Sequence, residues 1–214
     1  MALSKLNFNS LNLTPVAGKG IGFDSGADDL EASFSGAAMT FISKSTASSS
    51  STISFTSGID STYKEYVFIF NNIHVSNDDE AFAFQGNAAG GADFNETITS
   101  SYFRSVHGED GNNGALAYQT NADQGQGTAF QALLANIGND NDQSGSGYLH
   151  LFNPSSTTFV KHFIARGNYS SADNKSYNTY VAGYFNTTSA IDEIQFKMTG
   201  GTIDAGTITL YGIN

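Results

Sequence analysis

The chain has 214 residues and no cysteine. That length suits one sizeable domain plus an arm, and the missing thiols exclude a disulfide scaffold, an iron–sulfur centre, a cysteine zinc site and a thiol nucleophile. Nine scattered basic residues against twenty acidic ones give a net charge of −11, which disfavours nucleic-acid binding and attachment to an anionic membrane, since both draw on clustered Lys and Arg.

The first 38 residues differ from the rest. The stretch Thr14-Pro-Val-Ala-Gly-Lys-Gly-Ile-Gly-Phe-Asp-Ser-Gly-Ala-Asp-Asp-Leu30 is rich in Gly and holds neither a helical nor a strand period. It reads as an extended docking arm over 1–38 with one or two short strands. Leu11, Leu13, Ile21, Phe23, Leu30 and Phe34 would be wasted in a free tail, so the arm is expected to dock on a partner. The phosphate-loop-like Ala17-Gly-Lys-Gly20 lacks the upstream Gly and the Ser or Thr after Lys, and is set aside. No signal peptide is visible, because the N-terminus has no charged segment followed by an apolar core.

From Met39 the pattern changes to short apolar runs split by Gly, Asn, Asp and Ser. Tyr66, Phe68 and Phe70 alternate with Val67 and Ile69. This run is far too short to span a bilayer, so no membrane insertion is expected. Further runs follow over 81–85, 98–106, 115–120, 148–152, 159–165, 177–185, 191–198 and 207–213, with aromatic and β-branched residues that suit a pleated surface. They predict an all-β domain over 39–214, a β-sandwich or barrel whose strands have one face packed and the other wet. Phe130, Leu133, Leu134 and Ile137 fall at helical spacing, with Thr128 as a cap and Gly138 beyond the end. A strand is preferred there because every neighbour is β. No repeat of fixed period argues for a propeller or solenoid.

Candidate sites are sparse. The loop Asp140-Asn-Asp-Gln-Ser-Gly145 matches the first half of a calcium loop through Asp140, Asp142 and Ser144, but the position needing a bidentate Glu is Leu151. The same residues make turns, and the turn reading is preferred. Asp78, Asp79 and Glu80, with Glu109 and Asp110, could supply the paired carboxylates of glycoside hydrolysis only if the two clusters faced each other. Solvated loop charge is the plainer reading. His74, His107, His150 and His162 complete the titratable set, and His150 and His162 could lie side by side on one sheet face. No Gly-x-Ser-x-Gly elbow is present. Tyr and Asn crowd residues 166–180, a composition of adaptable recognition loops that also suits stacking on sugars. Tyr169, Asn174 and Tyr177 are the exposed candidates there.

The block Thr52-Ile-Ser-Phe-Thr-Ser-Gly-Ile-Asp-Ser-Thr-Tyr-Lys-Glu-Tyr-Val-Phe-Ile-Phe70 resembles structural proteins of tailed marine phages, cyanophages among them. So do Leu149-His-Leu-Phe-Asn-Pro-Ser-Ser-Thr-Thr-Phe-Val-Lys-His162 and the ending Gly206-Thr-Ile-Thr-Leu-Tyr-Gly-Ile213. The resemblance covers Met39 to the C-terminus, and residues 14–30 resemble leader segments of tail-fibre-like proteins. It implies a jelly-roll-like antiparallel β-sandwich behind an extended N-terminal arm, symmetric homo-oligomers with a trimer favoured, no enzymatic activity and no cofactor. The implied role is a virion structural protein, tail- or fibre-associated or a head decoration protein, assembled in the host bacterial cytoplasm. Its implied partners are other virion proteins through residues 1–38 and a host-surface glycan. The acidity places it on the particle exterior, away from packaged DNA. A free carbohydrate-binding module is the alternative of another class.

Overall fold

The computed structural model describes residues 38–213 in full and residues 20–23 and 30–34 through their backbone. The chain divides into two units after Ala38. In the first, β1 (Gly20–Phe23) pairs antiparallel with β2 (Leu30–Phe34). Leu11, Leu13 and the Ala17–Gly20 motif's first three residues lie outside the described residues, as do the side chains assigned to docking.

The second unit is built from β3 (Met39–Thr46), β4 (Thr52–Phe55), β5 (Glu65–Val75), β6 (Glu80–Ala88), β7 (Ile98–Gly108) and β8 (Ala115–Tyr118). It continues with β9 (Gly125–Gly127), β10 (Gln131–Ile137), β11 (Gly145–Phe152), β12 (Lys161–Ser170), β13 (Lys175–Phe185), β14 (Ile191–Met198) and β15 (Ile203–Ile213). Two antiparallel sheets result. The narrow one has the order β10-β6-β14-β4. The wide one has the order β3-β15-β5-β11-β12-β13-β7-β8, with β9 also paired to β7. No described residue is in an α-helix. Sheets of four and nine strands depart from the eight strands of a simple jelly roll.

Phenylalanine joins the sheets. Phe68 of the wide sheet meets Phe55 at 5.2 Å and Phe196 at 5.3 Å between ring centroids. Phe70 meets Phe82 at 5.3 Å, and Phe163 meets Phe84 at 5.0 Å. Most of these pairs are edge-to-face, the arrangement the ring quadrupole favours. All six rings named with Phe196 are almost wholly buried.

Strand parity follows the sequence until bulges change it. Tyr66, Phe68 and Phe70 point inward, but β5 then slips against β11 and β15, so that Ile73 and Val75 take over the inner face. An inserted residue reverses the phase of everything after it. Gly206 sits at the slip with φ 113°, and a Cβ there would come within 2.6 Å of the Asn72 carbonyl oxygen. Segment 131–137 is a strand, as preferred, and the register shifts twice, between Ala132 and Leu134 and between Leu134 and Ile137. The bulges place Leu133, Leu134 and Ile137 all in the core. A doubly bulged strand thus reproduces the spacing of a helix. Leu134 can approach β11 and β12 closely because Gly145 and Gly167 stand beneath it, where a Cβ would lie 2.4 and 2.3 Å from its methyl groups.

The outer face of the wide sheet is open to solvent, as the alternation implies, but many of the groups on it are apolar. Ile69, Tyr148, Arg166, Tyr180, Phe103 and Tyr118 stand opposite one another from strand to strand on the outward side. The row beside it runs Phe41, Tyr211, Val67, His150, Ile164 and Ala182. Phe103 stacks on Tyr180 with centroids 4.8 Å apart.

Phe196 holds the centre of the core, so Phe196→Ala is expected to cost about 3–5 kcal/mol. Phe159→Ala, at a ring 69% exposed, is expected to stay within about 0.5 kcal/mol. Urea denaturation compares the two, and equal losses would contradict this core.

Candidate functional site

The wide sheet extends past β10, the edge strand of the narrow one. Every residue of β8 is exposed, and the inner side of β7 is only partly covered beyond Tyr102. Arg104 lies there, on the same face of β7 as the buried Ile98 and Tyr102. Its Nη1 donates to Asn136 Oδ1 at 3.1 Å and to the Tyr169 hydroxyl oxygen at 2.8 Å. The guanidinium carbon lies 4.3 Å from the Tyr177 ring centroid. Tyr169 and Tyr177 stack 5.1 Å apart and nearly parallel. Asn136 in turn donates from Nδ2 to Asp79 Oδ1 at 2.9 Å. Asn136 has φ 63°, a left-handed conformation that Asn tolerates better than most residues. The second bulge of β10 therefore aims this amide between a carboxylate and a cation.

Two adjoining hollows share Asp79, Arg104 and Asn136. One, of about 430 Å³, also takes in Asp78, Ala172, Asp173 and Tyr177. The other, of about 320 Å³, is lined by Ala81, Ala132, Ala135 and the Phe130 ring beside polar residues that include Gln119, Asn121, Asp123 and Gln124. Buried glutamines hold this second wall in place. Gln131 donates from Nε2 to the Ala122 carbonyl at 2.8 Å and accepts from Ser100 Oγ. Gln85 donates to the carbonyls of Glu96, Thr128 and Ala129. No ion pair with a carboxylate holds Arg104 among the described residues.

The predicted residues divide around this groove. Tyr169 and Tyr177 are not exposed loop residues: they lie inward on β12 and β13, 1% and 9% accessible. Polar Asn and Ser neighbours masked a parity that runs Phe163, Ala165, Gly167, Tyr169. Asn174 is exposed, in the turn between those strands, with φ 56°. Asp78 and Asp79 line the groove. Glu109 and Asp110 line a separate hollow with Asp173, Asn174 and Lys175. Asp110 is held below the ordinary carboxylate range by the backbone and side-chain N–H groups of Asn112, the opposite of what a general acid needs.

The candidate calcium loop is a tight turn. The Asp140 carbonyl accepts from the Gln143 N–H at 2.8 Å and bonds His74 Nε2 at 3.2 Å, while buried Gln143 ties the loop to the Ser171 carbonyl. Asp140 and Asp142 lie in this turn and Ser144 follows it. His150 and His162 share the outward face without pairing: His150 is opposite Ile164 and bonds Glu65, while His162 packs edge-on against Tyr184. Arg104 was the residue that composition hid. Its signal was a lone cation on the apolar parity of a strand.

No family model, curated protein or solved structure matches this chain.

Burial pushes the hydroxyls of Tyr102 and Tyr169 above the ordinary tyrosine range. A group whose folded pKa is raised stabilises the fold below its unfolded pKa, and that stabilisation is lost as pH rises. Stability is therefore expected to fall as pH rises past about 10, less steeply in Tyr169→Phe. Urea midpoints between neutral and alkaline pH measure this, and identical slopes would contradict it.

Proposed function

We propose that this chain is a non-enzymatic structural protein of the exterior of a tailed-phage particle, tail- or fibre-associated, whose groove beside β10 contacts a glycan of the host surface. The groove carries the reading. Arg, Asn, Gln and Asp side chains are planar and polar, and each can engage neighbouring hydroxyls with two hydrogen bonds. Here they stand beside alanines, whose small side chains leave room for a bulky, flat ligand. Their positions are fixed beforehand by the tyrosine stack and the buried glutamines, which lowers the entropy lost on binding. Carboxylates outnumber Arg104 around the hollows, so a neutral saccharide suits the site better than an anionic one.

The particle assignment draws further support from the residues that resemble marine phage structural proteins. The cysteine-free composition fits as well, since it allows one fold inside a reducing cytoplasm and outside it. Residues 1–38 are proposed as the attachment to other virion proteins. A capsid decoration protein is the second reading, favoured by the division of the chain after Ala38 into a separate unit that could clamp a capsid lattice. Gel densitometry of purified particles separates the two: a few copies support the tail, and hundreds support decoration.

The groove is tested on a glycan array of bacterial surface saccharides. Wild-type protein is expected to bind, and Arg104→Ala is expected to lose roughly ten- to a hundredfold in affinity, the effect of removing a charged hydrogen-bond donor. Asn136→Ala is expected to weaken binding similarly. No binding to any saccharide, or equal binding by Arg104→Ala, would remove the recognition role.

A further inference from the structure

The outward face of the wide sheet is a second surface, independent of the groove, and we infer that it seats a second copy of this chain, face to face about a two-fold axis. The face is apolar where apolar groups are costly. Phe41 is 59% exposed, Ile164 49% and Tyr148 38%, and contiguous exposed patches of this kind mark interaction sites. Its size is right for one. At about 4.8 Å between strands and about 3.4 Å per residue, eight paired strands and three outward rows, two residues apart, cover roughly 800 Å². A stable interface takes about 800 Å² from each partner.

Charge selects the occupant. The chain carries −11 overall, so two copies repel through most of their surface. In the two rows of this face and the row beside them, which holds Ile213, Glu65 and Phe152, Glu65 is the only carboxylate, and His150 Nδ1 already bonds it. The positive charges there are Arg166, whose guanidinium lies 4.9 Å from the Tyr180 ring centroid, and Lys44, which extends the Ile69 row through Thr209. This is the place where two copies meet with the least carboxylate opposed. A basic partner would be drawn instead to the acidic loops. Shape agrees with self-pairing. An apolar hollow of about 350 Å³ lies over Val67, Ile69, Tyr148 and His150, and in row order it falls between Phe41 and Ile164. A two-fold axis through the face sets the protruding side chain of each copy toward the hollow of the other.

Sedimentation of the full chain tests this at micromolar concentrations. Wild type is expected at twice the 22.6 kDa chain mass. The double variant Phe41→Glu/Ile164→Glu is expected to dissociate at least tenfold more readily with an unchanged circular dichroism spectrum. Because the chain has no cysteine, Ile164→Cys gives a single attachment point. A short bismaleimide is expected to cross-link it into covalent dimers and to leave Phe159→Cys, off this face, monomeric. The cross-linking result stands even if the glutamate variant fails to fold. A wild type that is monomeric at 100 µM overturns the inference, as does a trimer that the glutamate variant leaves intact. Failure of Ile164→Cys to cross-link while Phe159→Cys reacts overturns it too, and would point to residues 1–38 or another protein as the cover.

Discussion

The constraint on which this structure depends is a mismatch of widths. A sheet buries one face only where another layer lies over it, and here four strands lie over eight hydrogen-bonded neighbours and a short ninth. Over the shared width the two sheets are joined by interlocking phenylalanines, and among the described residues no ion pair links one sheet to the other. Past β10 the inner face of β7 turns, at Arg104, from core into the wall of a groove. The polar residues at that margin are those that a partly covered inner face requires: Thr179 donates its hydroxyl to the Leu133 carbonyl of the edge strand, and Arg104 reaches across to Asn136.

The same architecture partitions charge. Loops and turns hold most of the acid: Asp78, Asp79, Glu109, Asp110, Asp140, Asp142 and Asp173 all lie between strands. The outward face of the wide sheet carries rings, aliphatic groups, neutral polar groups and a few bases, with Glu65 as the carboxylate in the three rows named. A strongly acidic molecule therefore has one side on which like charge does not keep its neighbours away. In a chain with 14% charged residues, such a partition is achieved by placement alone.

Much of the fold was legible in the sequence because strands were short, aromatic and cleanly alternating. Tyr66, Phe68 and Phe70 announced their face. The site was far less legible. Groove residues come from a bulged strand, from a parity hidden among Asn and Ser, and from loops distant in sequence. Nothing local to Arg104, Asn136 and Asp79 foretells that they share one hydrogen-bonded chain. Bulges were the main obstacle, since each one reverses the inside–outside pattern that sequence reading relies on. The strand around Leu134 even imitates a helix for this reason. On the outer face the alternation marks which side chains meet solvent, but not that so many of them are apolar.

The alanines lining the groove have a consequence for how this protein can change over generations. Ala81, Ala132 and Ala135 contribute little volume, and the polar residues beside them are drawn from loop residues 119–124. None of these positions is among the phenylalanines that join the sheets. Enlarging an alanine or exchanging a lining amide would reshape the hollow while leaving the fold's main source of cohesion in place. The partly covered margin of the wide sheet thus separates what keeps the molecule folded from what it can be selected to recognise, and a lineage could retune the second without re-solving the first.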